Sequence, residues 1–206
     1  DLAQRMAAHL GEAAIVDNRP GGGGAIGVAE LRRAAPDGRT LALLGSSTLC
    51  ILPALRRPPP FNAETDLSAI GRFMTSPFGV LVSAASPWKT LADVVAAARR
   101  EPGRINVGHT GVGSLGHLLV EEWAHLAGIK VNAVPFDGSS LLQALLRAEL
   151  PLTVDGLGLS TPHIRAGRLR LLALAAPARV AAWPDTPTLV ELGYPGVDRG
   201  FWWGLA

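Results

Sequence analysis

Apolar positions along the chain alternate between helical spacing and short continuous runs, with polar or glycine-rich breaks between them. The pattern predicts a helix over residues 1–10, a short strand at Ala13–Asp17 and a helix at Ala25–Ala34. A turn at Pro36-Asp37-Gly38 leads to a buried strand, Thr40–Leu44, that ends at Gly45-Ser46-Ser47-Thr48. After the stiff Pro58-Pro59-Pro60 connector come strands near Ser68–Met74 and Phe78–Val82, broken by Ser76-Pro77. Thr90-Leu91-Ala92-Asp93 caps a helix over Leu91–Arg100, which Glu101-Pro102-Gly103 stops. Strand Ile105–Gly108, helix Ser114–Ala127, strand Lys130–Pro135 and helix Ser140–Ala148 follow. Strand Leu152–Asp155, helix Thr161–Arg165 and strand Leu169–Leu174 continue the alternation. A short helix beginning at Pro184-Asp185-Thr186-Pro187-Thr188 precedes a terminal apolar strand. This order predicts an α/β protein with mostly parallel sheets flanked by helices.

Two glycine-rich turns interrupt the pattern where an apolar run passes into an amphipathic helix. One is Gly21–Gly27, the other Gly111–Gly116, and both contain G-x-G-x-x-G. Such a turn leaves backbone N–H groups at the positive end of a helix, where a carboxylate or phosphate can bind. In open α/β sheets ligands sit beyond the carboxyl ends of strands, and both turns, Ser46–Thr48 and Asp155 all fall there. The chain therefore reads as two lobes around a cleft, split near residue 83: residues 1–83 with 202–206 in one lobe, 84–201 in the other.

Composition narrows the function classes. Of 206 residues 48% are apolar and 17% charged, enough for a sizeable core, and the net charge of +2 leaves no nucleic-acid footprint. The 17 Arg against 2 Lys suit carboxylate pairing, although codon usage explains the same bias. Cys50 is the single cysteine, so no internal disulfide or cysteine metal site is expected. The His residues share no metal-ligand spacing, and no cofactor is expected. No segment is long and apolar enough to span a membrane as a helix.

Each candidate site admits a plain structural reading beside the functional one. Gly111, Gly113 and the Ser114 hydroxyl are placed to hold a carboxylate, or they form an ordinary capped helix start. A nucleophile elbow is excluded because Val112 stands where G-x-S-x-G needs glycine. His117, one helical turn on, either supports the cap or pairs with Ser114. The four glycines at Gly21–Gly24 read as a surface loop or a second anion cradle. Asp155, closing an apolar strand before Gly156, either accepts from a ligand hydroxyl or amine or caps the next turn. A dinucleotide site at Gly111–Gly116, with Asp137 as the acid after the next strand, is the enzyme alternative: a small NAD(P)-dependent Rossmann-type oxidoreductase.

The segments Asp17-Asn18-Arg19-Pro20-Gly21, Ala35-Pro36-Asp37-Gly38 and Pro53-Ala54-Leu55 recur in order with Gly111-x-Gly113-Ser114-x-x-His117-Leu118. Val134-Pro135-Phe136 with Gly138-Ser139, Asp155, Pro162-His163-Ile164-x-Ala166-Gly167 and Pro184-Asp185-x-Pro187-Thr188 follow. Together they resemble the Bug/TctC family, the extracytoplasmic solute receptors of tripartite tricarboxylate transporters, over nearly the whole chain. The resemblance implies a non-catalytic, two-lobed periplasmic-binding-protein (type II) fold that closes on a small organic acid and delivers it to membrane permease subunits. It implies a periplasmic location; a sensor kinase of a two-component system is an alternative partner. Carried over by position, Gly111, Gly113, Ser114, Ser46, Ser47, Thr48 and Asp155 are ligand-binding residues, and Asp1 aligns with an Asp closing the family's first loop. The family pattern has a strand before that Asp and helices after residue 206. Ser114 stands for a usual Thr, Leu49 and Leu52 for a His and an Asn, and Asp137 for a basic residue, which makes the expected cleft more apolar and less cationic.

Overall fold

The computed structural model describes residues 2–137 and 140–206, so Asp1, Gly138 and Ser139 lie outside the described residues. Two sheets are present. The larger has the order β5-β4-β6-β3-β7, built from β3 (Phe78–Ser83), β4 (Asn106–His109), β5 (Asn132–Pro135), β6 (Leu152–Gly156) and β7 (Leu169–Ala175). Alternation along β3 serves both faces of this sheet: Val80 and Val82 join the cluster around Trp123, while Leu81 packs with Leu145, Leu157 and Leu174. The first cluster also takes α4 (Leu91–Arg100) and α5 (Leu115–Ala127), the second α6 (Ser140–Leu146) and α7 (Leu157–Arg165). Trp123 is 1% exposed at the centre of α5's buried stripe. Close approach of α5 depends on Gly116, where a Cβ would lie 2.7 Å from the carbonyl oxygen of Val154. The Thr90/Asp93 capping box forms as expected: Asp93 N–H donates to Thr90 Oγ1 at 3.2 Å and Thr90 N–H to Asp93 Oδ2 at 2.9 Å.

The smaller sheet has the order β1-β8-β2, from β1 (Leu43–Gly45), β2 (Gly71–Ser76) and β8 (Phe201–Leu205). Both of its pairings are antiparallel, contrary to the mostly parallel expectation. The cause is the route of the chain. β2 leaves for the larger sheet through Pro77 alone, and β8 comes back from it, so the two must run opposite ways. β3 is antiparallel to β6 and β7 for the same reason, while β4 runs parallel to β5 and β6. The change of sheet thus falls at Pro77, and the expected boundary at residue 83 lies at the far end of β3, inside the larger sheet. Phe78 and Phe201, the first residues of the two crossing strands, meet with ring centroids 6.0 Å apart.

Two expected elements do not form. Ala13–Asp17 pairs with no strand among the described residues and Ile15 is 91% exposed; an apolar run without a ladder partner has no reason to stay a strand. The segment after Pro184 makes one capped turn, not a helix. Glu191 N–H donates to Thr188 Oγ1 and Thr188 N–H to Glu191 Oε2, but Gly193 at φ 91° ends the turn at once. Other bounds shift: β1 is shorter than Thr40–Leu44, β2 starts at Gly71, and α7 starts at Leu157 and contains Pro162. α1 (Leu2–Leu10) and α2 (Ala25–Arg33) match expectation, and the four-residue α3 (Leu52–Leu55) was not anticipated.

Candidate functional site

The carboxyl ends of β1, β4 and β6 all point at the junction of the two sheets. β4 ends at His109, and the turn Gly111–Gly113 feeds α5. Gly111 (φ 114°) and Gly113 (φ 79°) hold left-handed conformations that a side chain would strain. Ser114 caps the helix, its Oγ accepting from His117 N–H at 3.2 Å.

The turn's donors are mostly satisfied from within the protein. His109 Nδ1 lies 2.9 Å from Gly111 O and 3.2 Å from Gly111 N, and Gly113 N–H donates to His117 Nδ1 at 3.1 Å. Ser114 N–H reaches Gly111 O at 3.1 Å. The two imidazoles stack with centroids 4.4 Å apart, and His117 Nε2 lies 3.8 Å from Glu121. His109 is 1% exposed; burial first, and then the neighbouring His117 ring, hold its imidazole below the usual histidine range. The neutral ring so favoured keeps positive charge off the inner side of the turn. Among the described residues, the N–H groups of Val112 and Gly116 have no partner.

One further donor is met from the segment that follows β1 of the smaller sheet. Leu115 N–H, the first of α5, donates to Ser47 Oγ at 3.2 Å across 68 residues of sequence. Ser47 opens a π-helical turn, Ser47–Ile51, that runs into α3. The next residue, Thr48, donates from Oγ1 to Gly23 O at 3.0 Å. Gly24, at φ 96°, admits Thr48, whose side-chain atoms lie 2.5–3.1 Å from where a Cβ would stand. Leu55 Cδ1 lies 2.8 Å from the corresponding point on Gly113, and Ile51 packs on the cluster around Trp123. The helical segment 47–55 is therefore wedged between the two glycine turns.

Of the sequence-predicted residues, Gly111, Gly113, Ser114, Ser47 and Thr48 belong to one connected set. Ser46 precedes it, 8% exposed, its buried hydroxyl without a hydrogen-bond partner among the described residues. Asp155 stands at the end of β6, opposite Gly79. Burial pushes its carboxyl up to about 6, against a smaller opposing hydrogen bond from the Gly156 backbone. Asp1 lies outside the described residues. His109 is the residue that reading the sequence passed over, although a histidine closing the strand directly before a glycine turn is a usable signal. Two surface cavities lie elsewhere: one of about 510 Å³ between Arg32, Pro53, Phe61 and Asp66, one of about 320 Å³ between Lys89, Leu171 and Asp185. Neither is lined by the connected set, which is identified by its bonds and not by a hollow. Among the described residues no group of three potential ligands could hold a metal, and no helix is long and apolar enough to cross a membrane.

Two sheets joined by crossing strands, with strand ends and a helix N-terminus gathered at the junction, define a mixed α/β fold of the two-lobed periplasmic-binding-protein class. The chain belongs to the tripartite tricarboxylate transporter family of receptors, TctC, whose family model matches residues 1–206. It is 34% identical over 197 residues to a UPF0065 protein from the gbd 5' region of Cupriavidus necator, covering 93% of this chain and 58% of that protein. Among solved structures it is similar to an R. palustris protein with adipate: TM-score 0.92, 28% identity, 99% of this chain and 69% of that one. MatC from Rhodopseudomonas palustris with bound malate matches at TM-score 0.88 and 28% identity, over 99% of this chain and 70% of that one. The periplasmic binding protein BugD matches at 0.89 and 27%, over 99% and 68%. The chain thus spans 58% of the length of the first curated relatives it matches.

Proposed function

We propose that this chain is the ligand-binding part of an extracytoplasmic solute receptor that captures a small organic acid and presents it to a membrane permease of the tripartite tricarboxylate type. The observation that carries the reading is the start of α5, a 13-residue helix whose glycine turn faces a hydroxyl-bearing segment from the other sheet. A helix N-terminus favours an anion through its dipole and its free N–H groups. Relatives of this fold were solved with adipate and with malate, both carboxylic acids. On this reading the ligand carboxylate sits at the turn Gly111–Ser114, with Ser46, Ser47 and Thr48 on the facing side. Asp155 accepts from a ligand hydroxyl or amine, and Asp1 closes the first loop. Lobe closure about the Pro77 and Phe201 crossings creates the joint surface that a permease reads, and the protein acts in the periplasm, without catalysis. The dehydrogenase alternative has no support in the family or in the structures named above.

Calorimetric titration with adipate and malate, beside citrate, an aromatic acid and NADH, tests the proposal. Saturable binding of at least one acid, with none of NADH, is expected. Binding of NADH with no response to any acid would overturn it.

A further inference from the structure

The N-terminus of α5 is closed by an oxygen from the opposite sheet. We propose that the Ser47 hydroxyl is a built-in competitor for the ligand: it takes the place at Leu115 N–H that a carboxylate oxygen occupies in the bound state, and binding displaces it. The inference rests on the carboxylate reading above.

Several features single Ser47 out. The other partners of the turn, His109, His117 and Ser114, lie within four residues of the donors they satisfy. They travel with α5 whatever the two sheets do. Ser47 alone reaches across, from a segment anchored to the smaller sheet through β1. Its bond to Leu115 is therefore one that an incoming anion can replace without disturbing the turn itself. A neutral hydroxyl oxygen is a weaker partner for a helix N-terminus than a carboxylate, so exchange is favourable while Leu115 N–H keeps a partner when the site is empty. The π-helical turn fixes the register. Leu52 N–H bonds back to Ser47 O, which holds the backbone of Ser47 while its side chain remains free to exchange partners.

Calorimetry with adipate and malate, combined with amide hydrogen exchange at Leu115, on the whole chain and on Ser47→Ala and Ser47→Asp, tests this. Without acid, Leu115 should exchange faster in Ser47→Ala than in the parent chain. Affinity for whichever acid binds should rise about threefold to tenfold in Ser47→Ala, since the competitor is gone. It should fall at least tenfold in Ser47→Asp, whose carboxylate satisfies the helix end from within. Weaker binding by Ser47→Ala would make Ser47 a ligand contact and overturn the competition. Unchanged Leu115 exchange would show that the cross-sheet bond is absent and overturn it equally. If neither acid binds any form, the competition falls together with the carboxylate reading. If the acids bind but Ser47→Ala and Ser47→Asp match the parent, only the competition falls.

Discussion

The two sheets differ in how completely they enclose themselves. The larger one is covered on both faces, with Trp123, Val80 and Val154 on one side and Leu81, Leu145 and Leu174 on the other. The smaller sheet is backed by a much smaller cluster around Val28, Leu44 and Phe61, while Leu43, Ile70, Phe73 and Met74 stand exposed. Burial sets rigidity, so the larger sheet and α5 are the firmer side, and the segment 47–55 rests on the smaller cluster through Leu49 and Leu52 while reaching the main one through Ile51. On the proposed reading the contrast assigns different parts to the two sides: the α5 end offers donors on a firm base, and the segment after β1 brings the hydroxyls of Ser46, Ser47 and Thr48.

The largest expected effect tests that firm base. Trp123→Ala removes a fully buried indole from the main cluster and should cost about 3–5 kcal/mol in denaturant unfolding. A loss under about 1 kcal/mol would mean that the cluster collapses readily and that the two regions are alike in rigidity. Gly116→Ala comes next. Its Cβ would press on the backbone oxygen of Val154, which cannot swing aside as a side chain could, so α5 must lift from β6 at a cost of about 1–3 kcal/mol. Because the displaced residue is in the first turn of α5, acid binding should weaken as well. Full stability with normal affinity would show that the helix end is not held by this contact.

Asp155 sharpens the comparison through pH. Its carboxyl sits at about 6 in the folded chain, above the ordinary carboxylate value, because burial disfavours the charge. The folded state therefore holds the proton more tightly than the unfolded one. Stability from this group is greatest below about pH 4, falls as pH rises through about 6, and is flat above. The full shift corresponds to about 3 kcal/mol, and partial solvent access brings the expected cost at pH 8 to about 1–2 kcal/mol. Asp155→Asn should remove that slope from the urea midpoint measured between pH 4 and 8. A variant that keeps the slope would place its origin in another group.

How much was legible in the sequence follows the same divide. The elements of the larger sheet and its helices were readable because each has a periodic apolar face and its own punctuation: Thr90/Asp93 and Glu101-Pro102-Gly103 at α4, Ser114 at α5. In the smaller sheet β1 and β2 shifted and the Ala13–Asp17 strand did not form, because short strands are fixed by partners far along the chain and not by local pattern. The antiparallel order was hidden for that reason too, since β8 arrives some 125 residues after β2. At the site, Ser114 as cap could be read from its place before the helix. That Ser47 would reach Leu115, or that the imidazoles of His109 and His117 would stack and bond to the backbone of the glycine turn, depends on tertiary placement that no spacing encodes.

The smallest effect belongs to the exposed face, and it is the one that would break the comparison. Phe73 lies 48% exposed at the irregularity in β2, between Arg72, paired with Gly204, and Met74, paired with Trp203. A bulged residue contributes little to the ladder, and half of its ring is already in water. Phe73→Thr replaces an aromatic residue with a β-branched one, both suited to a strand, so the change isolates the lost apolar contact from strand propensity. Unfolding free energy should fall by no more than about 0.5 kcal/mol, as for a surface position with no special role. A cost above about 1.5 kcal/mol that shrinks on dilution would mean that the face is covered by another molecule in solution. The same cost independent of concentration would mean that the smaller sheet is as tightly built as the larger, and the division between a firmer side and a less enclosed one would fail.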